Sequence, residues 1–186
     1  MQIKLLIQST PNPNALKFVL NMPVKTEGKA TYKSADECAA NPMAKALFTV
    51  PNVKEVYFYD NYITVTQDGN VDWDVVEEQI KNIILEHAES HDPNFHVEEK
   101  KKPVVVSDNP DVAKINEILD RTIRPALQMD GGDLHVVGFD GTVVVVSYQG
   151  ACGSCPSSTA GTLKAIENIL KDEFNAEIIV EAAEAM

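Results

Sequence analysis

The chain has no long apolar run. Uninterrupted hydrophobic stretches stop at four residues, as at 143–146, against the ~18 to 20 needed to cross a bilayer. The opening Met1-Gln2-Ile3-Lys4 holds no secretory h-region. A soluble protein retained in a reducing compartment is therefore expected, the bacterial cytoplasm first, with a processed mitochondrial matrix protein as the alternative. Basic charge is also scarce: 16 Lys plus Arg face 28 Asp plus Glu, for a net charge of −12. Phosphate backbones and anionic lipid surfaces attract basic proteins, so nucleic acid and membranes are not expected partners. Glycine and proline, nine and ten in 186 residues, are too few for a collagen-like or low-complexity chain. Only three cysteines are present, an odd number that argues against a disulfide framework and turns attention to any close pair. Cys152 and Cys155 are that pair.

What is present divides in two. Residues 91–110 hold three prolines, the mixed charge run Glu98-Glu99-Lys100-Lys101-Lys102 and no helical period, which is the chemistry of a solvated linker. Residues 1–90 carry 8 lysines and 12 acids, residues 111–186 carry 5 basic and 12 acidic groups, so the second half is the more acidic. The expected fold class is α+β: two small mixed domains, 1–90 and 111–186, joined by a flexible linker over 91–110. The halves show no repeat of each other.

In the first half, apolar segments at 3–8 and 15–20 flank the turn-forming Thr10-Pro11-Asn12-Pro13-Asn14. Asn41-Pro42 starts a helix with Met43, Ala46 and Leu47 on one face. Residues 53–59 and 62–67 alternate as a hairpin around Asp60-Asn61, and Asp72 caps a longer helix bearing Trp73, Val76, Ile80 and Ile84. Four strands are expected, with no Gly-rich phosphate loop and no nucleophile elbow.

The second half opens with Asn109-Pro110 as cap and first helical residue, followed by the stripe Ile115, Ile118, Leu119, Ile123 and Leu127. Pro125 predicts a kink or early stop, and Gly131-Gly132 supply left-handed positions. Strands at 133–139 and 142–149 join at Asp140-Gly141, which suits a type I′ turn. A helix with Leu163, Ile166 and Leu170 and a strand at 177–181 complete the order α-β-β-α-β.

Gly150-Ala151-Cys152-Gly153-Ser154-Cys155-Pro156 lies between a strand and a helix. Gly150 and Gly153 let the backbone turn tightly enough to aim both sulfurs at one point. Pro156 as first helical residue would lay the Cys155 sulfur at the positive end of the helix dipole, favouring thiolate. Three chemistries use such a pair: dithiol exchange, half of a zinc site, and half of an iron–sulfur site. A thioredoxin-like framework needs more chain than remains after the motif. A closed zinc site needs four ligands, and this half offers two sulfurs and His135. An iron–sulfur cluster also takes four thiolates, which two copies of the chain would supply across a two-fold axis.

Arg124-Pro125-Ala126-Leu127-Gln128-Met129-Asp130-Gly131-Gly132-Asp133, followed by the cysteine loop and Ser157-Ser158-Thr159, resembles the NifU-like (Nfu) C-terminal domain. The segment from Thr10 to Phe18 and the pair Asp72-Trp73 resemble the Nfu N-terminal domain. The resemblance implies a scaffold or carrier of iron–sulfur clusters rather than an enzyme. It implies a 4Fe-4S cluster bridged by Cys152 and Cys155 of two protomers, loaded by an upstream donor and passed to apo-protein clients. The alternative is a thiol-disulfide oxidoreductase using the same two sulfurs.

Other residues are read as structural. Cys38 has no second ligand nearby. His87 and His91 sit where a helix ends and cationic side chains meet its negative pole. Asp130 and Asp133 are expected to cap and turn, and Trp73 to join the core, with Tyr57 and Tyr59 left open.

Overall fold

Strand residues whose side chains alternate between apolar and polar set the frame of the N-terminal unit. The computed structural model describes residues 2–96, 109–153 and 156–183, with side chains from 160 onward in the last stretch. Strands β1 (Leu5–Ser9), β2 (Ala15–Leu20), β3 (Lys25–Tyr32), β4 (Val53–Asp60) and β5 (Tyr62–Gln67) form an antiparallel sheet in the order β1-β2-β5-β4-β3. Phe18, Leu20, Val56, Phe58, Ile63 and Val65 point to one face, as a period of two requires. Helices α1 (Pro42–Leu47) and α2 (Trp73–Ala88) cover that face with Met43, Leu47, Val76, Ile80 and Ile84. The Asn41 side chain accepts from the Ala44 N–H and so caps α1.

Three details depart from expectation. The sheet has a fifth strand, β3, whose sequence Lys25-Thr26-Glu27-Gly28-Lys29 shows no apolar alternation. It is an edge strand with a register shift between Lys25 and Lys29 and Gly28 at φ +68°, devices that blunt an exposed edge. The chain expected to be linker from residue 91 instead stays on the sheet as far as Phe95. Phe95 is buried edge-on against Phe58, His91 stacks on Phe58, and the Thr26 N–H donates to the Pro93 carbonyl. Residues 97–108, which include the lysine run, lie outside the described residues. His91 is no helix-end cation: α2 stops at Ala88, His91 Nε2 lies 2.7 Å from the Val24 carbonyl, and burial pushes its pKa down.

Trp73 packs at the margin of the core and donates from Nε1 to the Pro13 carbonyl at 2.9 Å, pinning the start of α2 to the β1–β2 turn. Cys38 is buried, and loss of hydration pushes its thiol up to about 11. Such a thiol is inert at neutral pH. Tyr57 is buried and Tyr59 half-buried.

The C-terminal unit runs α3 (Pro110–Thr122), α4 (Arg124–Met129), β6 (Gly132–Phe139), β7 (Val143–Gly150), α5 (Pro156–Glu173) and β8 (Ile179–Ala182). The chain breaks into two helices before Pro125, which falls in the first turn of α4, where a missing N–H leaves no bond unmade. Strand β7 is central. It pairs antiparallel with β6 and parallel with β8, the latter across the α5 crossover. Val112, Ile115 and Leu119 of α3, Ile166 and Leu170 of α5, and Leu134, Val144 and Val146 of the sheet share one core.

The β6–β7 connection is not a type I′ turn. Only Gly141, at φ +102°, is left-handed, and the Asp140 carboxylate instead accepts from the Thr142 and Val143 N–H groups at 3.0 and 2.8 Å. The chain forms two units, Met1–Glu98 and Glu99–Met186. No helix among the described residues is long and apolar enough to cross a membrane.

Candidate functional site

The cysteine loop begins where β7 runs out. Gly150 takes φ +63°, a left-handed value that turns the chain off the sheet edge, and the Gly153 N–H closes the turn on the Gly150 carbonyl at 3.0 Å. The Ala151 N–H donates to the Gly131 carbonyl at 3.2 Å, tying the loop to the segment that links α4 to β6. A Cβ at Gly153 would meet the carbonyl oxygens of Gly150 and Tyr148 at 3.4 Å, a tight but open position. Gly150 supplies the left-handed turn, whereas Gly153 is not left-handed.

Gly132 has a different role from the one its sequence suggested. Gly131 is the left-handed residue, at φ +82°, whereas Gly132 is not left-handed. It pairs with Gly150 across the β6–β7 ladder, and a Cβ there would lie 2.5 Å from Cys152 Sγ, 2.8 Å from the Gln149 carbonyl and 2.9 Å from the Cys152 nitrogen. The missing side chain is the space the Cys152 sulfur occupies.

Cys152 is 7% exposed and belongs to the apolar core of its unit. Tyr148, four residues earlier, packs against the same core, and its buried hydroxyl has no hydrogen-bond partner among the described residues. Burial pushes the Tyr148 phenol up to about 12, and the nearby Cys152 sulfur adds to the rise. The phenol therefore keeps its proton at neutral pH and remains a donor. Cys155, and with it the separation of the two sulfurs, lies outside the described residues.

Behind the loop, Asp133 is almost wholly buried, which caps and turns do not require. Its Oδ1 accepts from the Leu134 N–H at 2.7 Å and lies 3.7 Å from Arg124 Nε, and Gln128 Nε2 lies 3.4 Å from Oδ2. Arg124 also donates to Asn116 Oδ1 at 2.7 Å and pairs with Asp120. Arg124 and Asp133 thus fasten α4 and α3 to the start of β6, on which Gly132 sits. A buried ion pair contributes little net stability but becomes costly when one partner is removed. Asp130 does serve at a helix end: it is the C-cap of α4, its N–H donating to the Ala126 carbonyl.

Among the described residues, no three His, Cys, Asp or Glu side chains gather to hold a metal ion. The zinc reading of Cys152, Cys155 and His135 involves Cys155, which lies outside the described residues. Sequence reading missed Gly132 as a clearance, Arg124–Asp133 as a buried pair, and Tyr148. The only signal for Tyr148 was its inward phase with Val144 and Val146 along β7.

The fold and loop define a protein of two α+β modules, the second carrying a cysteine turn between a strand and a helix. A family profile described as "Scaffold protein Nfu/NifU N terminal" matches residues 4–91, and a "NifU-like domain" profile matches residues 115–181. Together they take in most of the chain, which belongs to the NifU-like (Nfu) family.

"NifU-like protein 4, mitochondrial" of Arabidopsis thaliana is 36% identical over 169 residues, 88% of this chain and 60% of that protein. "NFU1 iron-sulfur cluster scaffold homolog, mitochondrial" of Drosophila persimilis is 32% identical over 167 residues, 88% of this chain and 59% of that protein. The chain thus spans about three-fifths of the length of these relatives. A solution NMR structure of a NifU-like protein from Saccharomyces cerevisiae aligns with 54% of this chain and 87% of its own at 24% identity and a TM-score of 0.43, too slight a likeness to argue from.

Proposed function

We propose that this chain carries iron–sulfur clusters. It takes a cluster as cargo from a donor, holds it on Cys152 and Cys155, and passes it to apo-proteins without catalysing a reaction of its own. The observation that carries the reading is the seat of Cys152. Gly150 turns the chain, Gly132 leaves room for the sulfur, and the buried Tyr148 hydroxyl near it has no partner among the described residues. A sulfur-rich anionic cargo fits such a place, because its ligand must be fixed and its sulfurs favour nearby donors. The scaffold names of the family profile and of the Drosophila relative point the same way.

Two thiolates from each of two copies would complete a 4Fe-4S cluster. A cluster so shared is easier to release than one caged by four cysteines of a single chain, since parting the copies removes half its ligands. Transfer is then ligand exchange: thiolates of the client replace Cys152 and Cys155 one at a time, with no net oxidation or reduction. The mitochondrial names of the relatives favour a processed organelle protein over the bacterial cytoplasm. No observation favours the thiol-disulfide oxidoreductase.

Anaerobic reconstitution followed by iron, sulfide and mass measurement tests the proposal. About four iron and four sulfide per two chains are expected, with loss of both iron and dimer in Cys152→Ala. A loaded monomer, or a double cysteine variant that keeps its full iron, overturns it.

A further inference from the structure

Strand β7 sends Val144, Val146 and Tyr148 to the core side, and the first two are fully buried. Tyr148 ends this inward row, at the rim of the cysteine loop. Its ring packs against the core, but its hydroxyl is closed off from water and meets no acceptor among the described residues. A buried O–H without a partner is unfavourable, and phenylalanine would fill the same space without that cost. The hydroxyl therefore points to an acceptor that arrives later.

Geometry narrows the choice of acceptor. After Tyr148 the chain reverses at Gly150, and a Cβ at Gly153 would lie 3.4 Å from the Tyr148 carbonyl, so the loop folds back over this residue. Cys152, lodged against Gly132, sits in the same core cluster as the Tyr148 ring. A neutral thiol is a weak acceptor, whereas a thiolate bound to iron carries negative charge and accepts strongly.

We propose that the Tyr148 hydroxyl donates a hydrogen bond to the Cys152 sulfur when that sulfur ligates a cluster, which makes Tyr148 a positioning residue for the cargo. The proposal rests on Cys152 being a ligand, as argued above. Hydrogen bonds to cluster sulfurs raise the reduction potential, and partners that orient a ligand strengthen its hold on metal. Tyr148 thus sets how firmly the cluster is retained before a client takes it. The cost of keeping the donor dry is met in the folded apo-protein, so none of it falls on the step that binds the cluster.

The test compares the full wild-type chain with Tyr148→Phe, both reconstituted anaerobically. Resonance Raman spectra of the iron–thiolate stretches in H2O and D2O read the bond directly. A deuterium-sensitive stretch should be present in wild type and absent in the variant. The variant's midpoint potential should be more negative, and it should lose iron to a chelator about tenfold faster. In apo-protein the variant should melt at or above the wild-type temperature, since an unpaired hydroxyl has been removed. A merely structural tyrosine would give the reverse: a lower apo melting point with unchanged spectra. Identical spectra, potential and chelator kinetics in two loaded proteins overturn this proposal alone. Failure of wild type to take up any cluster overturns the carrier reading, and this proposal with it.

Discussion

Gly132→Ala is the sharpest probe of the cysteine seat. The added Cβ would stand 2.5 Å from Cys152 Sγ, with the Gln149 carbonyl and the Cys152 nitrogen at 2.8 and 2.9 Å. Carbon and sulfur normally rest at about 3.5 to 4 Å, so the sulfur must retreat by ~1 Å or more. The other two obstacles are backbone atoms, held by the β6–β7 ladder and the loop hydrogen bonds, and do not give way cheaply. Overpacking of this kind costs about 1 to 3 kcal/mol. Alanine recovers about 0.4 to 1 kcal/mol through the unfolded chain, because Gly132 is not left-handed.

The net loss is about 1 to 2 kcal/mol, or a fall of about 4 to 16 °C in the melting point of a unit this size. Circular dichroism melts of the full chain should show it, while the fluorescence transition of Trp73, the chain's only tryptophan, stays in place as a report on the other unit. Cluster loading should fall as well. Gly161→Ala is the control. No atom lies within 4 Å of a Cβ built there, so on α5 it should stabilise by about 1 kcal/mol. If Gly132→Ala melts with wild type and loads equal iron, the clearance argument is wrong.

Two further outcomes are expected. Arg124→Met leaves the carboxylate of Asp133 buried without its cation, and should cost the C-terminal unit about 2 to 3 kcal/mol, less than a fully closed pair because Leu134 N–H still donates; urea titration read by circular dichroism checks it, and a shift below half that size would show Asp133 to be satisfied without Arg124. His91 is held below its ordinary value of 6.5, chiefly by burial between Phe58 and Phe95 and against the opposing pull of the Val24 carbonyl and Asp92. The unfolded chain then binds this proton more readily than the folded one, so stability of the N-terminal unit is full above about pH 6.5 and declines as pH falls from there towards the lower folded value. Denaturant midpoints read from Trp73 fluorescence at pH 7.5 and 5.5 should differ in wild type and converge in His91→Phe; equal sensitivity in both proteins would show that His91 is not the group responsible.

The amino-acid sequence by itself determined what neighbouring residues decide among themselves. The stripe Ile115, Ile118 and Leu119 makes α3 amphipathic whatever it packs on, and Asn109-Pro110 starts it because the Asn109 side chain reaches the Asp111 N–H two residues on. The α+β character, the cysteine turn and the resemblance to the family were legible in the same way. Strand β3 was not, since nothing in Lys25-Thr26-Glu27-Gly28 favours a strand until the β4 backbone lies beside it to bond. Nor was the strap from His91 to Phe95, whose proline and polar residues look solvated until Phe58 offers a surface to cover. Gly132 reads as a turn residue next to Gly131, and only pairing with Gly150 brings Cys152 to the place its side chain would fill. Helix period and turn chemistry act over a few bonds and are written in order along the chain, whereas clearance, buried charge pairing and the burial of the Tyr148 hydroxyl depend on residues that only the folded core brings together.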